Sequence, residues 1–121
     1  MRLKNFLIVV NDINRSKKFY KELFGLEVLR DFDTNVILEL GLVLQEKASW
    51  DQAVGEPVSY GGRDTVLYFE EYDLDAFVKR IEGSEWNIHF LNPLQTLETG
   101  QKMLRLCDPD GHIIEIREKK F

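Results

Sequence analysis

The sequence predicts an α+β domain built from two copies of a strand–helix–strand–strand–strand unit. An apolar strand pattern at residues 5–10 is followed by a helical pattern, and the same succession returns at residues 65–69. Each half then closes on a strand pattern that begins at a glycine, Gly41 in the first half and Gly111 in the second. A duplicated unit of this kind can build a two-part sheet around one cleft, and clefts between repeated units commonly bind small molecules.

The composition is that of a folded domain. The chain has 121 residues, of which 44% are hydrophobic and 31% charged, and this suffices for one domain with a hydrophobic core. No apolar run approaches the roughly 20 residues needed to cross a bilayer, and the start of the chain shows no secretion signal. The only cysteine, Cys107, excludes an internal disulfide, and its apolar strand setting predicts a buried, inert thiol. We therefore expect a cytoplasmic protein.

The formal net charge of −5 limits the partners that we expect. Binding to nucleic acid needs clustered cations, so we expect no nucleic-acid partner. Lys17, Lys18 and Lys21 cluster on one predicted helix, but apolar residues lie between them. This pattern is typical of a solvated helix face, so we expect no membrane partner either.

The first helix is predicted from its two ends and its apolar spacing. Asp12 can cap the N-terminus, and Gly25 suits a left-handed C-terminal cap. One face of the helix is apolar and should pack on a sheet; it comprises Phe19, Tyr20, Leu23 and Phe24.

Four strands are predicted in the first half. Residues 2–10 form a strand pattern with both faces covered, and residues 26–30 form the second strand. The third and fourth strands, at residues 36–40 and 42–46, are joined tightly at Gly41.

Residues 48–63 lack a clear period and contain several turn-forming residues. We predict that they form the linker between a first module at residues 1–47 and a second at residues 64–121. Trp50 and Tyr60 are unusual in such a segment. They would either cover a ligand as a lid or attach the linker to the body of the domain.

The second half opens with a strand at residues 65–69 and continues with a short helix that Asp73 caps and Gly83 ends. A strand at residues 86–91 is predicted to stop at Asn92. The buried stripe of the helix is predicted to comprise Leu74, Phe77, Val78 and Ile81.

The last two strands, at residues 102–107 and 112–117, are predicted to form a hairpin. Its turn has the sequence Asp-Pro-Asp-Gly, in which Pro109 presets the backbone angle and Gly111 releases the chain into the next strand. The chain thus has eight predicted strands and two predicted helices.

Both ends of the chain resemble one known superfamily. Residues 1–12, together with Arg15-Ser16, Phe19-Tyr20 and Leu23-Phe24-Gly25-Leu26, are similar to the start of vicinal oxygen chelate proteins. The ending Asp-Pro-Asp-Gly-His-Ile-Ile-Glu-Ile at residues 108–116 is similar to the closing hairpin of that superfamily, which includes glyoxalase I, extradiol dioxygenases, fosfomycin-modifying enzymes and bleomycin-resistance proteins. The resemblance implies two βαβββ modules in a cupped, eight-stranded mixed sheet with helices on the outer face, and a homodimer.

The resemblance also implies where a metal would bind. Metal enzymes of the superfamily place a His or Glu at four equivalent points, near the start of the first strand and in the last strand of each half. Carried onto this sequence, these points are Asn5, Gln45, Thr65 and Glu115, with Glu46 in place of Gln45 if the strand slips by one residue. Three of the four are neutral.

These neutral residues disfavour a metal site. Zinc, iron and nickel prefer imidazole, thiolate or carboxylate, whereas amide and hydroxyl oxygens bind them weakly. One carboxylate offers too little charge to offset removal of water from a divalent ion. His112 points to the strand face opposite Glu115, and His89 lies in another strand, so both are expected to be ordinary histidines. We expect no cofactor, with Ni, Zn, Mn or Fe as the disfavoured alternative.

Strand alternation predicts the lining of the cleft. The polar groups would be Asn5, Gln45, Thr65, Arg105 and Glu115. The apolar lining would include Leu7, Leu67 and Phe69, with Trp50 contributed by the linker. The sets that share a face are Asn5, Leu7 and Val9; Val43 and Gln45; Thr65, Leu67 and Phe69; Ile113, Glu115 and Arg117; and Met103, Arg105 and Cys107.

Arg105 and Glu115 are the most consequential pair in this lining. They form either a structural ion pair across the hairpin or a functional pair. In the functional alternative, Glu115 is an acceptor or catalytic base, and Arg105 holds a carboxylate or phosphonate.

Three functions follow from these expectations. The first is metal-free binding or sequestration of a small organic ligand, as in bleomycin-resistance proteins. The second is an enzyme, a lyase, isomerase or dioxygenase, that uses a substitute metal site or Glu115 as general base. The third is a domain of association or regulation without catalysis.

Overall fold

The computed structural model describes residues 1–119, and the chain divides into two compact units, Met1–Ser59 and Tyr60–Phe121. Each unit contains one four-stranded mixed sheet. The eight predicted strands and the βαβββ order of each half are confirmed, although the first strand begins at Phe6 and not at residue 2. Within residues 1–119, the strands pair in two four-stranded sheets, one in each module.

The first unit has the sheet order β1-β4-β3-β2, in which β1 runs parallel to β4 and the other pairs are antiparallel. A short 3₁₀ turn over Glu39–Gly41 connects β3 to β4. The elements are β1 (Phe6–Val10), α1 (Ile13–Phe24), β2 (Val28–Asp31), β3 (Asn35–Leu38), β4 (Leu42–Glu46) and α2 (Lys47–Val54).

Helix α1 has the predicted caps and the predicted buried stripe except for Phe24, which is half-buried. The Asp12 carboxylate accepts a hydrogen bond from the backbone nitrogen of Arg15 at 3.0 Å, and Gly25 ends the helix with a φ of 68°. That left-handed angle favours glycine because it has no Cβ. Phe19, Tyr20 and Leu23 are fully buried, so the apolar stripe anchors α1 to its sheet.

Helix α2 lies in the segment that the sequence predicts as a linker, so the prediction of an irregular segment there was wrong. Local polar contacts stabilise this helix instead of an apolar stripe. Lys47 pairs with Asp51 one turn later, and Asp51 also accepts a hydrogen bond from the backbone nitrogen of Val58 at 2.8 Å. Gly55 ends the helix with a φ of 90°. Since the apolar period is weak, the pattern did not reveal this helix.

The second unit has the sheet order β5-β8-β7-β6, with β5 parallel to β8. Asp73 caps its helix as predicted and accepts a hydrogen bond from the backbone nitrogen of Ala76 at 2.9 Å. Leu74, Phe77 and Ile81 are buried. The elements are β5 (Val66–Glu71), α3 (Leu74–Glu82), β6 (His89–Thr96), β7 (Lys102–Cys107) and β8 (Ile113–Glu118).

Strand β6 continues through Asn92 and Pro93, whereas the sequence predicted that it stops there. It is an edge strand, and its pairing with β7 shifts on both sides of Asn92. Proline is tolerated at such irregular edge positions because its missing N–H need not break a ladder hydrogen bond. This continuation brings Asn92 beside β7.

Buried residues lie on both faces of the second sheet, and helix α3 lies on one of them. Leu104, Leu106, Ile114 and Ile116 are at most 1% exposed, and α3 contacts β8. We call this side the helix face. The opposite side, which we call the open face, carries Glu115, which is buried there together with Met103, Cys107 and Ile113. Cys107 is buried, as predicted. Within residues 1–119, no helix has the length and apolar character needed to span a membrane.

Candidate functional site

Glu115 lies at the centre of a charged cluster on the open face of the second sheet. Its side chain is only 10% exposed, and each carboxylate oxygen accepts a hydrogen bond from a guanidinium group. Nε of Arg105 donates to Oε1 at 2.6 Å, and Nε of Arg117 donates to Oε2 at 2.9 Å. The carboxylate is therefore bound on both sides.

Strand register explains why these side chains meet. In β8, alternation places Glu115 and Arg117 on one face and Ile114 and Ile116 on the other. The antiparallel pairing of β7 with β8 sets Arg105 directly opposite Glu115. The predicted face sets of these two strands are thus confirmed.

Asn92 and Tyr68 complete the cluster. Nη1 of Arg105 donates to Oδ1 of Asn92 at 2.9 Å, and Tyr68 is the β5 partner of Glu115 in the parallel register. The guanidinium carbon of Arg117 lies 5.8 Å from the centre of the Tyr68 ring. We call these five residues, Tyr68, Asn92, Arg105, Glu115 and Arg117, the Glu115 cluster. Sequence reasoning missed Asn92 and Tyr68 as site residues.

The cluster keeps Glu115 ionised. Burial alone would raise the pKa of Glu115, but the hydrogen bonds and charges of Arg105 and Arg117 outweigh it and lower the pKa. The register also sets Glu70 beside Arg117 on this face, so two carboxylates stand against the two guanidinium groups. At Glu115 itself, the two bound guanidinium groups oppose a cation.

The β5 register corrects part of the predicted lining. Leu67 pairs with Ile114, and Phe69 pairs with Ile116, so both lie on the helix face and do not share a face with Glu115. Thr65 lies just before β5 and two residues before Leu67, so by alternation it belongs with Leu67 and not with Glu115. Alternation fixes only which residues share a face, whereas the pairing of β5 with β8 decides which face that is.

The same register identifies Asp64 as the counterpart of Asn5. Gln45 pairs with Val9 in the first unit, and Glu115 pairs with Tyr68 in the second. Four residues before these strand partners lie Asn5 and Asp64, respectively. Asp64 is exposed. The repeat therefore places an acid, rather than the hydroxyl of Thr65, at this point.

In the first unit, Gln45 belongs to a chain of hydrogen bonds. Its Oε1 accepts from Nδ2 of Asn35 at 2.7 Å, and its Nε2 donates to Oγ of Ser49 at 2.6 Å. Ser49 Oγ in turn donates to the backbone oxygen of Glu46 at 2.9 Å. The amide of Gln45 thus ties β3 and β4 to α2. Glu46 pairs with Val10, on the opposite face from Gln45.

The other predicted residues of the first unit lie near this chain of bonds. Leu7 pairs with Val43, and both share the face of Gln45, as predicted. Asn5 lies beside Gly41, where an added Cβ would come within 3.5 Å of the Asn5 Oδ1. That distance is an ordinary contact, so it is the φ of 78° at Gly41 that favours glycine there. Trp50 lies on α2 and is half-buried.

Two carboxylates and one imidazole lie close together at the β7–β8 turn. They belong to Asp108, Asp110 and His112, whose potential metal-binding atoms lie within 4.8 Å of one another. Oδ1 of Asp108 accepts from the backbone nitrogens of Asp110 and His112 at 3.0 and 2.9 Å. Nδ1 of His112 lies 2.8 Å from Oδ2 of Asp108. The Asp108 carboxylate therefore stabilises the turn through its backbone hydrogen bonds. His89 is exposed.

The imidazole of His112 is held by more than this contact. Its ring meets that of Tyr60 edge-on, with the centres 6.0 Å apart. Burial lowers the pKa of His112, but the hydrogen bond to Asp108 and the charges of Asp108 and Asp110 raise it overall. His112 is thus a histidine with a satisfied partner, as the sequence predicted.

Comparison with known proteins agrees with this architecture. A family model described as "Glyoxalase-like domain" matches residues 3–120. No curated protein shows significant sequence similarity to the chain. A solved protein of unknown function from Agrobacterium tumefaciens str. C58 is 36% identical, with a TM-score of 0.84 over 99% of this chain and 95% of that one.

Two further solved structures share the fold at lower identity. A glyoxalase-related enzyme from Fulvimarina pelagi is 20% identical, with a TM-score of 0.81 over 98% of this chain and 88% of its own. The fosfomycin resistance protein FosX from Listeria monocytogenes is 16% identical, with a TM-score of 0.76 over 100% of this chain and 95% of its own. The chain belongs to the glyoxalase-like family of the vicinal oxygen chelate superfamily.

Proposed function

We propose that this protein binds or sequesters a small organic ligand without a metal ion, and that the open face of the second sheet forms part of its site. One observation carries the proposal: both oxygens of Glu115 are already bonded to guanidinium groups. Glu115 is the acid that a metal enzyme of this superfamily would need most at its last strand. Here it binds Arg105 and Arg117 instead.

Electrostatics argues against a divalent ion at this position. Two unit charges about 4 Å apart interact by about 4 kcal/mol at the effective dielectric of a protein surface, and a divalent ion doubles that repulsion for each arginine. The ion would also have to displace the hydrogen bonds of Arg105 and Arg117 to Glu115. Gln45, a second family-equivalent position, has its oxygen occupied by Asn35.

The composition of the open face suits an organic ligand. Fixed polar groups lie beside the exposed side chains of Val66 and Tyr68, while Met103, Cys107 and Ile113 are buried on the same face. Small-molecule sites commonly have this mixture. A cytoplasmic location and a homodimer remain part of the proposal.

An enzyme is the second candidate. Asp64 has the same alternation as Glu115, so the second unit offers two acids where the sequence alone indicated one. A substitute site for Ni, Zn, Mn or Fe would draw on both. Glu115 is a weak general base at neutral pH, since its pKa is lowered. The third candidate is a domain of association or regulation, in which the Glu115 cluster would bind no small molecule.

Metal analysis and ligand screening test the proposal together. Purified protein is expected to contain far less than one metal ion per chain, before and after incubation with Ni, Zn, Mn or Fe. Thermal-shift screening against thiol adducts, aromatic catechols and glycopeptide drugs should yield a ligand that raises Tm equally with and without metal.

The matched variants are Glu115→Gln and Glu56→Gln, since Glu56 is an exposed acid in the first unit. Glu115→Gln should weaken the ligand response, and Glu56→Gln should not. A stoichiometric metal ion that Glu115→Gln alone removes would contradict the proposal. A screen in which no small molecule shifts Tm would favour the association domain.

A further inference from the structure

We infer that the ligand is an aromatic carboxylate, whose carboxylate group binds Arg117 and whose ring lies against Tyr68. This inference rests on the proposed function and names the chemical class of the ligand. It also assigns a binding role to Arg117, which the sequence placed on the face of Glu115 without a function.

The two arginines of the cluster differ in how many of their N–H groups are already hydrogen-bonded. Arg105 donates through Nε to Glu115 and through Nη1 to Asn92, so it is fixed from two directions. Arg117 donates only through Nε, and its terminal nitrogens make no hydrogen bond within the described part of the chain. Its side chain is 29% exposed.

This arrangement leaves Arg117 ready for an anion. The bond to Glu115 holds the guanidinium in place, and its far edge presents two parallel N–H groups that match the oxygens of a carboxylate. Glu70 is the β5 partner of Arg117 in the register, so the site offers the terminal N–H groups of Arg117 rather than an excess of positive charge.

Tyr68 supplies the aromatic part of the inference. It is 57% exposed on the edge strand β5, and its ring lies 5.8 Å from the guanidinium carbon of Arg117. On the same face of β5, Val66 is also 43% exposed. A flat ring beside a guanidinium suits a planar ligand that carries an acidic group at one end. The ligand ring can stack on Tyr68 while its carboxylate binds the guanidinium of Arg117.

The test uses benzoate, with benzamide as its neutral counterpart and acetate as the anion without a ring. Binding to the full chain is measured by calorimetry at constant ionic strength. In parallel, the Nε–Hε signals of the arginines are followed by NMR in ¹⁵N-labelled protein. The variants are Arg117→Gln and Tyr68→Leu. Arg30→Gln is the matched control, because it removes the same charge from an exposed strand residue of the first unit.

Benzoate is expected to bind more tightly than benzamide or acetate and to shift the Nε–Hε signal of Arg117. Arg117→Gln should weaken benzoate at least about tenfold, as expected for the loss of a charged hydrogen bond. Arg30→Gln should leave it unchanged, and Tyr68→Leu should bring benzoate down to the level of acetate. If Arg117→Gln fails to fold, the shift of the Arg117 Nε–Hε signal in the wild type and the benzoate affinity of Tyr68→Leu still test the inference.

Equal binding of benzamide and benzoate would overturn the inference, as would benzoate binding that is insensitive to Arg117→Gln or absent altogether. A neutral compound that raises the Tm of the wild type and of Arg117→Gln alike would overturn it while leaving metal-free ligand binding intact. A stoichiometric metal ion would instead remove the proposed function on which it rests.

Discussion

Arg105 and Glu115 face each other across the antiparallel strands β7 and β8, and Nε of Arg105 lies 2.6 Å from Oε1 of Glu115. Arg117 binds the other oxygen of the same carboxylate from two residues further along β8. A carboxylate held in this way orients both arginines. The same contacts would hold Arg117 in place for the anionic ligand that we infer.

Removal of Arg105 should destabilise the fold. Arg105→Gln leaves the largely buried Glu115 with one guanidinium partner and leaves Asn92 without its donor. The free energy of unfolding is expected to fall by about 1–3 kcal/mol, because a buried charged group loses a hydrogen bond. Urea denaturation measures this change. Arg30→Gln is the control and should change the free energy by less than about 0.5 kcal/mol.

A double-mutant cycle separates the pair from its surroundings. In Arg105→Gln/Glu115→Gln, the loss should be smaller than the sum of the two single losses, since the pair is already broken by either change. Additive losses would contradict a direct contribution of the Arg105–Glu115 bond to stability.

Acid should remove the contribution of Glu115. The pKa of Glu115 is lowered in the folded state, so its contribution is fully present above the unfolded pKa of about 4.3 and is lost as pH falls through the lower folded value. The difference in unfolding free energy between wild type and Glu115→Gln should therefore shrink below about pH 4.3. Denaturation curves recorded at several acidic pH values test this. A difference that stays constant over that range would be inconsistent with the lowered pKa.

His112 should give the opposite dependence at higher pH. Its pKa is raised in the folded state, against the effect of its burial, so its contribution is fully present below about pH 6.5 and is lost as pH rises through the folded value. His112→Gln should remove this dependence, and His89→Gln should keep it, because His89 is the only other histidine of the chain and is exposed. Tm measured across neutral pH checks both variants. Equal effects of the two substitutions would contradict a role for the Asp108–His112 pair.

Gln45 should hold helix α2 on its sheet. Gln45→Ala breaks the bonds to Asn35 and Ser49, and we expect a loss of about 1–2 kcal/mol for these two hydrogen bonds together. Hydrogen exchange should become faster in α2 but not in α1. Gln52→Ala, an exposed position on α2, is the control. Unchanged exchange in α2 would show that other contacts hold the helix.

Most of the secondary structure could be predicted from local signals. Asp12 and Asp73 cap their helices as expected, and β4 and β7 have the predicted bounds. Helix α2 could not be predicted, because a salt bridge and a glycine cap stabilise it without an apolar period. These signals act within one or two turns and leave little trace in hydrophobic spacing.

The candidate site was predictable in part. Alternation gave the face sets within β7 and β8, the family resemblance brought Arg105 and Glu115 to one cleft, and the structure pairs them. Asn92 escaped notice because the sequence suggested that β6 ends there. A strand at the edge of a sheet can pass through Asn92-Pro93, but this depends on which strand lies at the edge, and local pattern does not contain that information.

By itself, the sequence determined the two βαβββ modules, their caps and the alternation of each strand, because these depend on residues close together in the chain. Only the tertiary structure decided that Tyr68, and not Leu67, lies beside Glu115, and that two arginines share its carboxylate. The phase of β5 against β8 depends on contacts between distant segments, and a shift of one residue exchanges the two faces of a strand.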